Sequence, residues 1–276
     1  MKGIVVSPVE IIGKNSISVN GTIEPEKLRK YLLYWDKIDF PQSNIIGFGN
    51  SPDLEFLENA GVLKRSRFHV RGGGEVADLH LKVQLTALRK NNDTERGCWS
   101  LAQEGINFVI PTRETVLDRC IELSLYNSLP IPSIESSFED ILTFKERRND
   151  ELLEFRLLLD GIFQEILKAG DSERAIETHL HKIDRQVDAI SRTMNESIGK
   201  VLWSNLKVRF DVGDLIRNTT IGAFGASQLG VSVTTGAALG LASSIKLNTE
   251  MLLKPKGIPT ELKDFAYLFY ANQELK

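Results

Sequence analysis

The sequence is poor in the residues that build small stapled or metal-rich proteins. It has two cysteines, Cys98 and Cys120, and four histidines among 276 residues. Two thiols cannot form a disulfide framework, which excludes the small secreted scaffolds that depend on one. His179 and His181 are two apart and point in different directions on a helix, so they cannot chelate one metal together. Neither charge is in clear excess: 34 basic against 37 acidic side chains leave a formal charge of −3. Any nucleic-acid surface is therefore a local patch, because the whole chain has no basic field to steer it. No signal-peptide pattern precedes the first apolar run, and with so few cysteines the expected location is the reducing cytoplasm. What is present, 42% hydrophobic and 26% charged residues, belongs to a folded globular chain.

The first half alternates short apolar runs with helical patterns. Gly3 to Pro8 reads as a buried strand. Pro25 opens a helix through Leu28, Tyr31, Leu32 and Trp35, and Lys37 to Phe40 and Asn44 to Phe48 read as strands. Ser51-Pro52 caps a helix ended by Gly61, Arg67 to Arg71 look extended, and Glu75 to Lys90 repeat Val76, Leu79, Val83 and Leu88 at roughly helical spacing. Ile106 to Ile110 reads as a strand, and Thr112 caps a helix carrying Val116 to Leu125. This order predicts an α/β domain over 1–133 with a mainly parallel sheet, whose crevices lie beyond the carboxyl ends of its strands.

A helical domain is expected over 134–276. Ser136 and Glu139 form a capping-box signature, and Leu152, Phe155, Leu159, Ile162 and Ile166 then recur by threes and fours. After Gly170 and Asp171, the residues Ile176, Leu180, Ile183, Val187, Ile190 and Met194 continue the same pattern. Helices at 138–168 and 172–203 of nearly equal length, joined by two or three residues, predict a long antiparallel hairpin, each arm about 45 Å. Residues 218–245 contain no charge, with Gly222, Ala226 and Gly230, then Gly236, Gly240 and Ser244, spaced by four. Small residues so spaced let helices approach closely. The expectation is burial against the hairpin, with conditional insertion into a membrane as the alternative. Thr260 caps a last helix, 260–272, carrying Phe265, Phe269 and Tyr270.

Gly47-Phe48-Gly49-Asn50-Ser51-Pro52 resembles a dinucleotide fingerprint whose third glycine is proline. The acidic residue expected about twenty positions on is missing, and Arg67 and Arg71 stand near that distance. Arg65, Arg67, His69 and Arg71 are expected on one side of a strand before Gly72-Gly73-Gly74. The anion-binding candidates are accordingly Gly47, Gly49, Ser51, Arg65, Arg67, Arg71 and Gly73, with guanidinium groups suited to phosphate. A solvated edge strand is the plainer explanation of the same basic residues. Gly13-Lys14-Asn15-Ser16 lacks the leading glycine and hydroxyl of a P-loop. Glu177, His181 and Asp184 read as a solvated face rather than a metal site. Asp36 and Asp39 form an acidic pair without a third carboxylate, and no serine elbow occurs. No catalytic residue, metal ligand or cofactor is assigned.

The run Tyr31-Leu-Leu-Tyr-Trp-Asp-Lys-Ile-Asp-Phe-Pro41, between the Gly3 to Pro8 strand and Phe56 to Leu63, resembles the start of a family of uncharacterised bacterial proteins. The likeness covers residues 3 to 63. It implies a bacterial source and no particular activity.

With no catalytic constellation, the leading expectation is a non-enzymatic protein that self-associates or docks a partner protein through its helical domain. A membrane-active toxin or phage-defence effector inserting residues 218–245 is one alternative. A sensor or enzyme for a nucleotide or other phosphate-bearing ligand in the α/β domain is the other.

Overall fold

The computed structural model describes residues 2–13, 16–102, 129–198 and 258–275. The expected strand at 106–110, the helix after Thr112, residues 199–203 of the hairpin and the neutral segment 218–245 lie outside the described residues.

Four strands form one parallel sheet: β1 (Gly3–Val5), β4 (Lys37–Asp39), β6 (Leu63–Lys64) and β8 (Trp99–Leu101). Their spatial order is β6-β4-β1-β8, so the chain steps outward twice from β1 and then returns to its other side. Ile4, Ile38 and Leu63 stand in register on one face and join the cluster that includes Leu28 and Leu32 of α1 (Pro25–Tyr34) and Leu54 and Leu57 of α2 (Pro52–Asn59). Val5, Trp99 and Leu101 are packed instead with Ala77, Leu81, Leu85 and Leu88 of α3 (Val76–Thr94). Helices thus cover both faces. Gly3 is glycine for a packing reason, since a Cβ there would meet the Trp99 ring at 2.4 Å.

Two features of this half differ from expectation. The polar stretch after Pro8 is an antiparallel hairpin, β2 (Val9–Gly13) and β3 (Ser16–Val19), laid beside α3. Residues 44–48 are not a strand. The ladder instead continues one step earlier, β5 (Gln42–Ser43) pairing parallel with β7 (Arg67–Phe68). Ser43 Oγ then accepts from the backbone of Ile45 and Ile46, both at 3.3 Å, and turns the chain. The Asn44 side chain closes the ladder in place of a backbone, donating to Val70 O at 3.1 Å and accepting from Val70 N at 2.8 Å.

In the second half, α4 (Phe138–Arg147), α5 (Asn149–Lys168) and α6 (Ser172–Ile198) precede a 3₁₀ turn at Thr260–Phe265 and α7 (Ala266–Glu274). The cap of α4 is Ser137, whose Oγ accepts from Asp140 N at 3.0 Å, and not Ser136. The expected single helix over 138–168 breaks at Arg148, which has φ −108 and ψ 29. Its guanidinium is drawn to Glu274 and Glu151 and lies over the Tyr270 ring. Leu152, Phe155, Leu159 and Ile166 of α5 and Ile176, Ile183, Val187 and Ile190 of α6 are buried in the cluster that contains Ile4.

The two halves meet at the end of α1. The last carbonyls of a helix have no partner within it. Here Tyr267 Oη donates to Leu33 O and Arg156 Nη2 to Tyr34 O, each at 2.7 Å, and Lys145 Nζ donates to Trp35 O. Two of these donors are cations, which also suits the negative end of the helix dipole. Arg156 grips the Asp36 carboxylate with two further bonds at 2.9 and 3.0 Å, and Lys2 N donates to it at 2.8 Å. Burial alone would raise the Asp36 pKa, but Arg156, Lys145 and the Lys2 amide outweigh it and hold it at about 2. Around this junction Tyr34, Phe155 and Tyr267 pack ring to ring at 6.3 to 6.4 Å.

Replacing Arg156 by methionine keeps the packing volume but removes the 2.7 Å donor of the Tyr34 carbonyl and two of the donors of Asp36. The expected loss of stability in urea unfolding is about 3 kcal/mol or more, and a loss below about 1 kcal/mol, the usual worth of a surface pair, would show that the junction does not depend on it.

Candidate functional site

A doubly wound sheet leaves a crevice beyond the carboxyl ends of the strands where their order reverses. In this chain the reversal lies between β1 and β8. Ala102 N donates to Val5 O at 2.8 Å there, and the next residues along β1 are Val6 and Ser7.

Helix α3 runs back against the strands. His80, in its second turn, meets Ser7 past the end of β1, while Asn92 and Glu95 at its other end bond Trp99 and Lys37. The face it turns to the sheet repeats at 77, 80, 81, 84, 85, 88 and 91, and three of those positions are polar: His80, Gln84 and Asn91, all buried. This differs from the expected stripe of Val76, Leu79, Val83 and Leu88, of which Val76 and Leu79 are only half-buried.

The outer polar group is Ser7, His80 and Gln84. Ser7 Oγ and Gln84 Nε2 each lie 3.0 Å from His80 Nε2. Ser7 and His80 are both 3% exposed. Burial pushes the imidazole down to about pKa 4, so the ring is neutral at physiological pH. Phe48 stands edge-on to the ring at 6.5 Å and packs on Phe40 at 5.1 Å.

Deeper between sheet and helix, Asp39 is fully buried at the end of β4. It accepts from Ser66 N at 3.1 Å, from Ser66 Oγ at 2.7 Å and from Asn91 Nδ2 at 2.7 Å. Lys64 Nζ donates to Asn91 Oδ1 at 2.7 Å and lies 3.9 Å from the carboxylate. With its oxygens satisfied, this group ties β4, β6 and α3 together. Asp36 and Asp39, an acidic pair in the sequence, are separated in space: the first serves the helical layer and the second serves α3.

The residues expected to bind anions are gathered only in part. Gly47 and Gly49 are exposed and flank Phe48, so their loop adjoins His80. Ser51 is occupied as the cap of α2, accepting from Leu54 N at 3.3 Å. Arg65 pairs with Glu58 at 2.9 Å, donates to Asn50 and covers the Phe40 ring. Arg67 and Arg71 are exposed and have no ion pair among the described residues. Gly73 is exposed in the loop that leads into α3. His179 faces Glu165 at 3.4 Å, while His181 is exposed.

Sequence reasoning does not single out Ser7 or His80 as a pair. A lone serine before proline carries no pattern. The legible signal is on α3, where His80 and Gln84 interrupt an otherwise apolar period.

Compared with known proteins, the chain matches the profile of a family of unknown function, DUF6236, over residues 7–276. No curated protein and no solved structure matches it.

A histidine kept neutral by folding costs stability once the unfolded chain can bind a proton that the native state refuses. The His80 contribution is complete above about pH 6.5 and is lost as pH falls toward 4, by about 3 kcal/mol in all. His80→Asn should therefore flatten the acid limb of the urea-unfolding profile between those pH values, and parallel limbs for the two proteins would refute the assignment.

Proposed function

Because the chain belongs to DUF6236, a family of unknown function, its own geometry has to carry the reading, and we propose that it binds a small phosphate-bearing molecule at the carboxyl edge of its sheet. The observation that carries this is the placing of a buried polar pair, Ser7 and His80, at the reversal of strand order. That is where ligands of open α/β sheets are held. The surroundings are consistent with an anion. Glu75 gives the first turn of α3 no side-chain cap, the loops at 47–49 and 72–74 present exposed glycine backbone, and Arg67 and Arg71 are exposed nearby in sequence. A thermal-shift series with inorganic phosphate, ADP and ATP tests it. A ligand at about 100 times its dissociation constant adds about 2.7 kcal/mol of stability. Ser7→Val should lose the shift, and a set of flat melting curves would end the proposal.

A second reading is favoured by a different observation. On α5, Leu153 and Leu157 are one turn apart and 47% and 51% exposed, with Leu167 two to three turns further along the same side. Large apolar side chains aligned on one helix suit association. In this reading α5 and α6 close as an antiparallel hairpin over 149–198, and its outer face meets a second copy of the chain. Light scattering across a dilution series should give the mass of an oligomer that Leu153→Glu with Leu157→Glu reduces to a monomer. A wild-type chain that is monomeric at every concentration would dismiss self-association.

A further inference from the structure

We infer that Ser7 is a nucleophile and His80 its general base, acting on an activated phosphoryl group held at the reversal of strand order. The inference rests on the ligand reading proposed above and adds the chemistry of that site.

Two groups reach the same imidazole nitrogen, Ser7 Oγ and Gln84 Nε2, both at 3.0 Å from His80 Nε2. An amide nitrogen only donates. With the Gln84 amide oriented this way, His80 Nε2 is the unprotonated ring nitrogen, so in its 3.0 Å contact with Ser7 only the hydroxyl can be the donor, sharing the lone pair with the amide. This is the tautomer a general base requires, with the proton to be taken already directed at it. A buried ring that stays unprotonated at neutral pH keeps that lone pair available.

Position supplies the second half. Most of the face that α3 turns to the sheet is apolar, and the Asp39 group nearby has a plain structural use in tying two strands to the helix. Ser7 and His80 tie no strand to its neighbour. They stand beyond the last paired residue of β1, at the edge where open α/β sheets generally hold their ligands. Beside the His80 ring stands Phe48, between two exposed glycines, Gly47 and Gly49, and a Cβ added to either glycine would meet nothing within 4 Å. The loop beside the ring is therefore rich in the residue type that adjusts its backbone most readily.

In the reaction, Ser7 Oγ forms a bond to phosphorus, the bond from phosphorus to the leaving group breaks, and the hydroxyl proton passes to His80 Nε2. The leaving group departs with the electron pair of the broken bond, so no oxidant or reductant is needed. The product of this half-reaction is a phosphorylated serine.

A fluorophosphonate is the probe, because it presents an activated phosphorus with fluoride as the leaving group. Incubation of the full chain at millimolar probe, followed by intact mass and peptide mapping, should find one adduct, on Ser7, absent from Ser7→Ala. His80→Asn should slow labelling by at least about 100-fold, the usual worth of a general base. An adduct that forms equally fast in a folded His80→Asn chain overturns the base role. No adduct while phosphate or ATP still raises the melting temperature overturns this inference and leaves the ligand reading standing, and no adduct with no thermal shift removes both. Should His80→Asn fail to fold, Ser7→Cys gives an internal comparison. Iodoacetamide should then modify position 7 faster than the half-buried Cys98 of the same molecule, and slower modification counts against His80 as base.

Discussion

The structure depends on how the end of one helix is finished. The carbonyls of Leu33, Tyr34 and Trp35 would otherwise be left without partners in a dry setting, where each unpaired polar group costs on the order of 1–3 kcal/mol. All three are satisfied from outside the α/β half, by Tyr267, Arg156 and Lys145. Asp36, the next residue, fixes the same arginine in a two-pronged grip. Sheet and helical layer are thus joined by polar groups whose loss is expensive, set within an apolar cluster that runs from Ile4 to Leu275. The run Leu-Tyr-Trp-Asp-Lys, conspicuous by its composition, is this junction: its rings fill the core and its backbone supplies the acceptors.

The opposite face of the sheet follows another rule. Against α3 the packing is apolar near the strand centres but includes His80, Gln84, Asn91 and Asp39, all buried. A buried polar network holds a helix in one register at some cost in stability, and it is retained where geometry matters more than packing energy. The Asp39 group accounts for itself structurally. The Ser7 and His80 contact lies at the rim rather than within the sheet.

The α/β order was legible because helices with capped starts, such as Ser51-Pro52, and short apolar strands alternate at regular intervals. The hairpin at 9–19 was not, because its residues are mixed in polarity and the pairing depends on α3 lying alongside. Residues 44–48 looked like a strand by composition, but the Ser43 hydroxyl diverts the backbone, an effect of one side chain that periodicity does not register. The break at Arg148 has the same character, since it answers to Glu274, more than a hundred residues away. Of the anion candidates, the glycines at 47 and 49 lie beside His80. Ser51 and Arg65 proved to be engaged in local structure: the first as the helix cap its place before Pro52 announced, the second with Glu58, a pairing the sequence did not signal.

The bond from Tyr267 to the Leu33 carbonyl spans 234 positions of sequence. On a ribosome, the first helix is therefore complete long before its last acceptor can be answered, and the nascent α/β layer emerges with one flank of its core uncovered. Closure waits until Tyr267 has left the exit tunnel, so segments of this chain synthesised far apart in time mature together.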